Sequence, residues 1–230
     1  MTPPLVLAEG RAVWCGPQID YRSEGTHLLS PGEIDEIEAA LAHLRALGPV
    51  DFPGITPETF PLPIFVAQHL PRYGSILDAV LSWRSPLNVS WAVRAGQPLG
   101  GCVYLVPPGM RLAVTALGFE LSPLAPGSAS WLGCGDHLIN SLVTLYGSRS
   151  VGVVLSGMLP AGVGGLRAIK ACGGFAMAQD RISSDHFDMP AAAIDFGKAE
   201  IVMPPERLAF ALTIIAEAWL GDRPMEAVEA

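Results

Sequence analysis

A buried strand followed by a glycine-rich loop is the feature that most constrains this fold. Residues Val151–Leu155 form an uninterrupted apolar run, and the loop 156–165 that follows contains four glycines. A helical pattern then runs from about Leu166 to Ala171. A strand that is apolar on both faces is typical of a parallel sheet with helices on both sides. Such sheets bind ligands beyond the carboxyl ends of their strands, so the loop 156–165 is a candidate site.

The same alternation of short apolar runs and helical patterns extends along most of the chain. No internal repeat or linker interrupts it, so we expect a single domain over residues 1–230. The pattern predicts a doubly wound, mainly parallel α/β sheet with helices on both faces. Residues 118–130 are rich in Pro, Gly and Ser and predict a loop. Other predicted strands lie at 64–67, 88–93, 102–106, 175–178 and 201–203, and helices at 30–47, 75–83, 134–146 and 205–220.

Composition excludes several classes of function. The chain is 50% hydrophobic and carries a formal net charge of −8. An acidic surface repels polyanions, which disfavours nucleic acid and anionic lipid as partners. The most apolar uncharged stretch, Ser150–Leu166, is too short to span a membrane and is interrupted by glycines. We therefore expect no membrane insertion, and the N-terminus shows no signal-peptide pattern.

Cysteine usage predicts a reduced, cytoplasmic setting. The four cysteines are far apart and form no C-x-x-C pair that would suggest zinc or a redox motif. They are Cys15, Cys102, Cys134 and Cys172.

Five short segments, in order, resemble the CheB family of chemotaxis protein-glutamate methylesterases. Gly157-Met158 is similar to the start of that family's G-M-G-x-D-G segment, and the helix at 166–170 follows as it does there. The other similar segments are Gln68-His69-Leu70-Pro71, the stretch 103–107 (VYLVP), and the pair 178–184 (AQDRISS) and 189–194 (MPAAAI). The resemblance covers roughly residues 60–220.

The resemblance implies a CheB-type, Rossmann-like three-layer fold and a serine-hydrolase type of ester hydrolysis. In that chemistry a Ser attacks the carbonyl, a His takes the proton and an Asp orients the His. His69 matches the base, and Gly157, Met158 and Gly162 match the oxyanion loop. The position before Gly162, where the family has its Asp, is Ala161 in this chain. The family uses no metal, so no cofactor is implied. We also expect no receiver domain in this polypeptide.

The nucleophile of the resemblance has no clear counterpart, because the family's G-x-S-x-G-G string is absent. Ser30, in Ser-Pro-Gly before a helix, is the first candidate, although the same residues are explained by Ser30 as a helix N-cap. Cys15, after a short apolar run, is the weaker alternative, since a buried inert Cys is more common. Asp136 or Asp20 could replace the lost carboxylate, but nothing in the sequence places either near His69.

The segment 185–188 (Asp-His-Phe-Asp) replaces a mostly apolar stretch of the family. Its residue types are those of metal ligands, and the alternative interpretation is a polar surface loop. We favour the loop, because a lone cluster of this kind is more often solvated surface.

Three functions remain open from the sequence. The first is a divergent methylesterase-like domain with a degenerate site, which binds a chemoreceptor-like or other signalling protein, or a small molecule, in its cleft. The second is an active hydrolase with a triad rebuilt around His69. The third is an anion-binding module that uses the backbone amides of residues 157–165.

Overall fold

The computed structural model describes residues 60, 62–70, 75–125 and 133–221. In that part of the chain, eight strands and five helices follow one another, mostly in alternation. The strands are β1 (Ile64–Val66), β2 (Asn88–Trp91), β3 (Cys102–Leu105), β4 (Met110–Thr115), β5 (Gly118–Pro123), β6 (Val151–Val154), β7 (Phe175–Gln179) and β8 (Ile201–Met203). The helices are α1 (Leu77–Arg84), α2 (Cys134–Tyr146), α3 (Val163–Ala171), α4 (Asp188–Asp195) and α5 (Pro205–Gly221).

Six of these strands form two parallel sheets of three strands. One sheet has the order β1-β3-β2 and the other the order β6-β7-β8. Every pairing within them is parallel, and Val154 lies opposite Ala178 near the carboxyl end of the second sheet. The prediction of a mainly parallel α/β fold is confirmed. The loops after β1 and β6 both leave from carboxyl ends of strands, where such folds place their ligands.

The second sheet is covered on both faces, as its apolar strands predict. On one face Val154, Ala176 and Ala178 pack with buried residues of α3 and α4. On the other face Leu155 and Met177 pack against Leu208 and Leu212 of α5. Helices on both sides exclude water from the strands, which is why these strands contain almost no polar residue.

Two helices join the sheets into one body. Ala216 of α5 lies in the apolar cluster of the first sheet, together with Val103 and Leu105 of β3. Leu138 of α2 packs with the other face of that sheet and with the β4–β5 hairpin, whereas Ile139 packs towards the second sheet. The two parallel sheets therefore share α2 and α5 as common packing partners.

The structure corrects the first part of the predicted loop at 118–130, and residues 126–130 lie outside the described part of the chain. Residues Gly118–Pro123 form β5, which pairs antiparallel with β4 across a two-residue turn. Leu112, Val114 and Phe119 fill a buried cluster beneath the hairpin. The alternation of buried and half-buried residues along β4 was the available signal, and the Gly, Pro and Ser residues nearby obscured it.

Helix α4 was not predicted, and α3 begins earlier than expected, at Val163. Gly164 and Gly165 are therefore helical and do not belong to the loop. Within the described ranges, no helix is both long and apolar enough to cross a membrane.

Candidate functional site

The candidate site lies on two loops at the carboxyl ends of parallel strands. His69 comes three residues after β1, and residues Ser156–Gly162 connect β6 to α3. The two strands belong to different sheets. Ser30 and Cys15, the candidate nucleophiles, lie outside the described residues, as does Asp20.

The surroundings of His69 lower the pKa of its ring. Although much of its side chain is exposed to solvent, the protein around the ring displaces enough water to lower its pKa below the ordinary 6.5. Desolvation is the cause of this shift, because removing water disfavours the charged imidazolium. An oriented carboxylate would act in the opposite direction and raise the pKa. The surroundings of His69 therefore favour the neutral form of its ring.

We predict that NMR titration of the His69 ring gives a midpoint below 6.5 in the folded protein and near 6.5 in urea. At pH values between those two midpoints, the unfolded chain binds more protons than the folded chain. The free energy of unfolding therefore falls as the pH drops through that window. In His69→Gln this contribution to the pH dependence should disappear. A folded-state midpoint above 6.5 would show that a carboxylate, not desolvation, dominates.

The loop after β6 is fixed by backbone hydrogen bonds to the segment before α4. The Gly157 N–H donates to the His186 carbonyl (2.9 Å), and the Met189 N–H donates to the Gly157 carbonyl (2.9 Å). The His186 N–H also donates to the Ser156 hydroxyl oxygen (3.0 Å). A Cβ at Gly157 would lie 2.5 Å from the Met189 methyl and 3.2 Å from the Met189 Cβ, so a larger residue would require Met189 to move.

This bonding decides which amides of the loop are open to a ligand. The Gly157 N–H is already committed to His186, whereas the Met158 N–H donates to no residue in the described part of the chain. Met158 is also 55% exposed. Of this pair, Met158 is thus the one whose backbone donor could reach a ligand oxygen.

The start of α3 already holds a carboxylate. Gly162 precedes the helix in the left-handed conformation (φ 82°), which directs the chain into it. Asp136, in the first turn of α2, accepts a hydrogen bond from the Gly165 N–H at 2.6 Å. A negative charge at this position stabilises the positive end of the helix. Asp136 therefore joins α2 to α3. The Gly165 N–H is one of the donors that the anion-binding hypothesis uses, and Asp136 already occupies it.

Ala161 lies in the turn just before α3 and donates its N–H to the Leu159 carbonyl at 2.7 Å. Its methyl side chain has no hydrogen-bonding group, so it cannot orient an imidazole.

A buried amide connects the loop after β6 to the turn after β7. Gln179, the last residue of β7, is fully buried. Its Oε1 accepts a hydrogen bond from the Ser156 N–H (2.8 Å), and its Nε2 donates to the Ser183 carbonyl (2.9 Å). The sequence shows Gln179 only as part of a motif, and its role depends on contacts between separate segments. The amide sets the position of Ser156, immediately before Gly157 and Met158.

The segment 185–188 lines a pocket, and the metal interpretation is not supported. In the described ranges, no group of three or more His, Cys, Asp and Glu side chains is arranged to hold a metal ion. Asp188 instead begins α4, and its neighbours line an open pocket of about 400 Å³ beside the loop after β6.

These features define a parallel α/β protein with a histidine and a glycine-rich loop at the carboxyl ends of its strands. Residues 38–212 match the CheB methylesterase family. The chain therefore belongs to the CheB methylesterase family.

Individual relatives agree with this assignment. The chain is 35% identical over 159 residues to protein-glutamate methylesterase/protein-glutamine glutaminase 1 of Carboxydothermus hydrogenoformans, covering 66% of this chain and 47% of the relative. It is 36% identical over 181 residues to protein-glutamate methylesterase/protein-glutamine glutaminase 2 of Anaeromyxobacter dehalogenans, covering 78% of this chain and 52% of the relative. The chain thus spans about half the length of these curated relatives.

A solved structure supports the same fold. The crystal structure of the Thermotoga maritima CheB methylesterase catalytic domain matches with a TM-score of 0.62 and 26% identity. The match covers 70% of this chain and 87% of that one.

Proposed function

We propose that this chain is a divergent CheB-like domain with a degenerate active site, which binds a signalling protein in a chemotaxis-type pathway instead of hydrolysing it. The observation that carries the proposal is Ala161. The family resemblance places the triad carboxylate there, and a methyl group cannot replace it. Loss of the orienting Asp in such a triad costs about 10⁴ in turnover.

One further observation supports the proposal. Asp136 is hydrogen-bonded to Gly165 and so already has a structural role. The relatives are named as enzymes that act on protein glutamate and glutamine, so a protein segment is the ligand that this edge of the fold is expected to accept.

The test is methanol release from a receptor-type peptide that carries a glutamyl methyl ester. We expect this chain to release no more methanol than its His69→Ala variant. The Thermotoga maritima catalytic domain serves as the positive control. The same peptide should nevertheless bind, which NMR shifts of Met158 and its neighbours would detect.

Turnover that disappears in His69→Ala would contradict the proposal and establish an active hydrolase with a rebuilt triad. Ser30→Ala and Cys15→Ala would then identify the nucleophile. Absence of both turnover and binding would also contradict the proposal, because the cleft would then have no peptide ligand.

A further inference from the structure

The pocket beside the loop after β6 is lined by cationic, acidic and aromatic side chains. Arg181, Ser184 and four consecutive residues, 185–188, line a volume of about 400 Å³. The pocket is open to solvent and lies at the start of α4. Because His186 and Met189 bond directly to Gly157, the pocket wall is continuous with the candidate site.

The pocket already holds a cation that belongs to the chain itself. The guanidinium carbon of Arg181 lies 5.0 Å from the centroid of the Phe187 ring. This distance is within the range at which the negative face of an aromatic ring attracts a cation. Arg181 is exposed, so its guanidinium can move into water when another cation takes its place on the ring.

Two other features of the lining favour a cation with N–H donors. Asp188 forms no ion pair with any described residue and sits in the first turn of α4, where a negative charge is stabilised. The His186 Nε2 is buried and has no hydrogen-bond partner among the described residues. A ring nitrogen that carries no proton can accept one N–H.

We propose that this pocket binds a guanidinium or ammonium group and that Arg181 occupies it when no ligand is present. The group is the side chain of an arginine or lysine on the protein partner. This inference rests on the proposed function, because it names the chemistry by which the partner is recognised. The net charge of −8 favours approach of a basic segment over an acidic one.

The surroundings fit a side chain carried on a polypeptide. Ile182 is 97% exposed, on the same turn as Arg181, and Met158 is 55% exposed on the neighbouring loop. Exposed apolar side chains beside a charged pocket can contact the residues that flank a bound side chain. A free small cation would contact only the pocket and not these apolar side chains.

The test is an NMR titration of the full chain with a short neutral peptide that contains one arginine. The matched ligand has citrulline, a neutral isostere, in place of the arginine. Methylguanidine, a small guanidinium with a single charge, separates a free ligand from a peptide ligand. We expect the arginine peptide to bind more tightly than the citrulline peptide and methylguanidine, and salt to weaken its binding.

Three variants make the test specific. Arg181→Gln should tighten binding of the arginine peptide about threefold, because the ligand no longer competes with an internal cation. Asp188→Asn should weaken it by about the same factor. Glu206→Gln is the matched control, since Glu206 is also an exposed acid in the first turn of a helix but does not line the pocket.

Equal binding of the arginine and citrulline peptides, or an Arg181→Gln variant that binds no more tightly, would overturn the inference. Methylguanidine binding as tightly as the peptide would overturn the assignment to a protein partner. None of these ligands contains an ester, so the outcome is independent of methanol release. Hydrolysis could therefore overturn the proposed function while the pocket still binds the peptide.

Discussion

Gln179→Met should lower the free energy of unfolding by about 2 kcal/mol, because a buried donor and acceptor lose their partners. Methionine matches the length of glutamine and leaves no cavity, so the loss reflects hydrogen bonding and not packing. The Ser156 N–H and the Ser183 carbonyl would both be left without the amide that joins them. Urea denaturation measures the change. Hydrogen exchange at the Ser156 and Gly157 amides should speed up more than exchange elsewhere in the second sheet.

Gln97→Met is the matched control for this prediction. Gln97 is exposed, and its side chain donates a single hydrogen bond to the Leu117 carbonyl at 3.1 Å. Water replaces that bond at little cost, so its variant should change stability by at most about 0.5 kcal/mol. If both variants lost the same stability, the effect would belong to methionine in general and not to the buried amide.

Gly165→Ala should destabilise the fold by about 2 kcal/mol, although alanine is the better helix former. A Cβ at Gly165 would lie 2.7 Å from the Cβ and 2.8 Å from the Cγ2 of Ile139. These atoms are near the backbone of α2 and cannot move without shifting the helix. The same shift would strain the hydrogen bond between Asp136 and Gly165. Thermal and urea unfolding measure the change.

Gly135→Ala tests the same substitution on the facing helix. Gly135 lies in the first turn of α2, and a Cβ there would meet only the Gly162 Cα, at 4.0 Å. Alanine should therefore be neutral or stabilising by up to about 1 kcal/mol. Opposite signs for the two variants are expected, and two stabilising results would show that α2 and α3 are not closely packed.

Strand positions were predictable because burial on both faces leaves a strong sequence signal. The predicted strands at 64–67, 88–93, 102–106, 151–155, 175–178 and 201–203 all correspond to observed strands, with ends that shift by one or two residues. The β4–β5 hairpin was missed, since the Gly, Pro and Ser residues of 118–130 obscured its alternating pattern. Helix α4 was missed because eight residues with a proline near the start give little helical periodicity.

The sequence by itself determined the parallel α/β class, the positions of His69, Gly157 and Met158 at strand ends, and the alanine at position 161. These follow from local hydrophobic spacing and from motif resemblance, both of which are written along the chain. The tertiary structure alone decided that the Gly157 N–H donates to His186, that Asp136 of α2 accepts a hydrogen bond from α3, and that Gln179 bonds to Ser156. Each of these three contacts joins residues more than twenty positions apart. Their hydrogen bonds depend on how helices and strands pack, which no local pattern specifies.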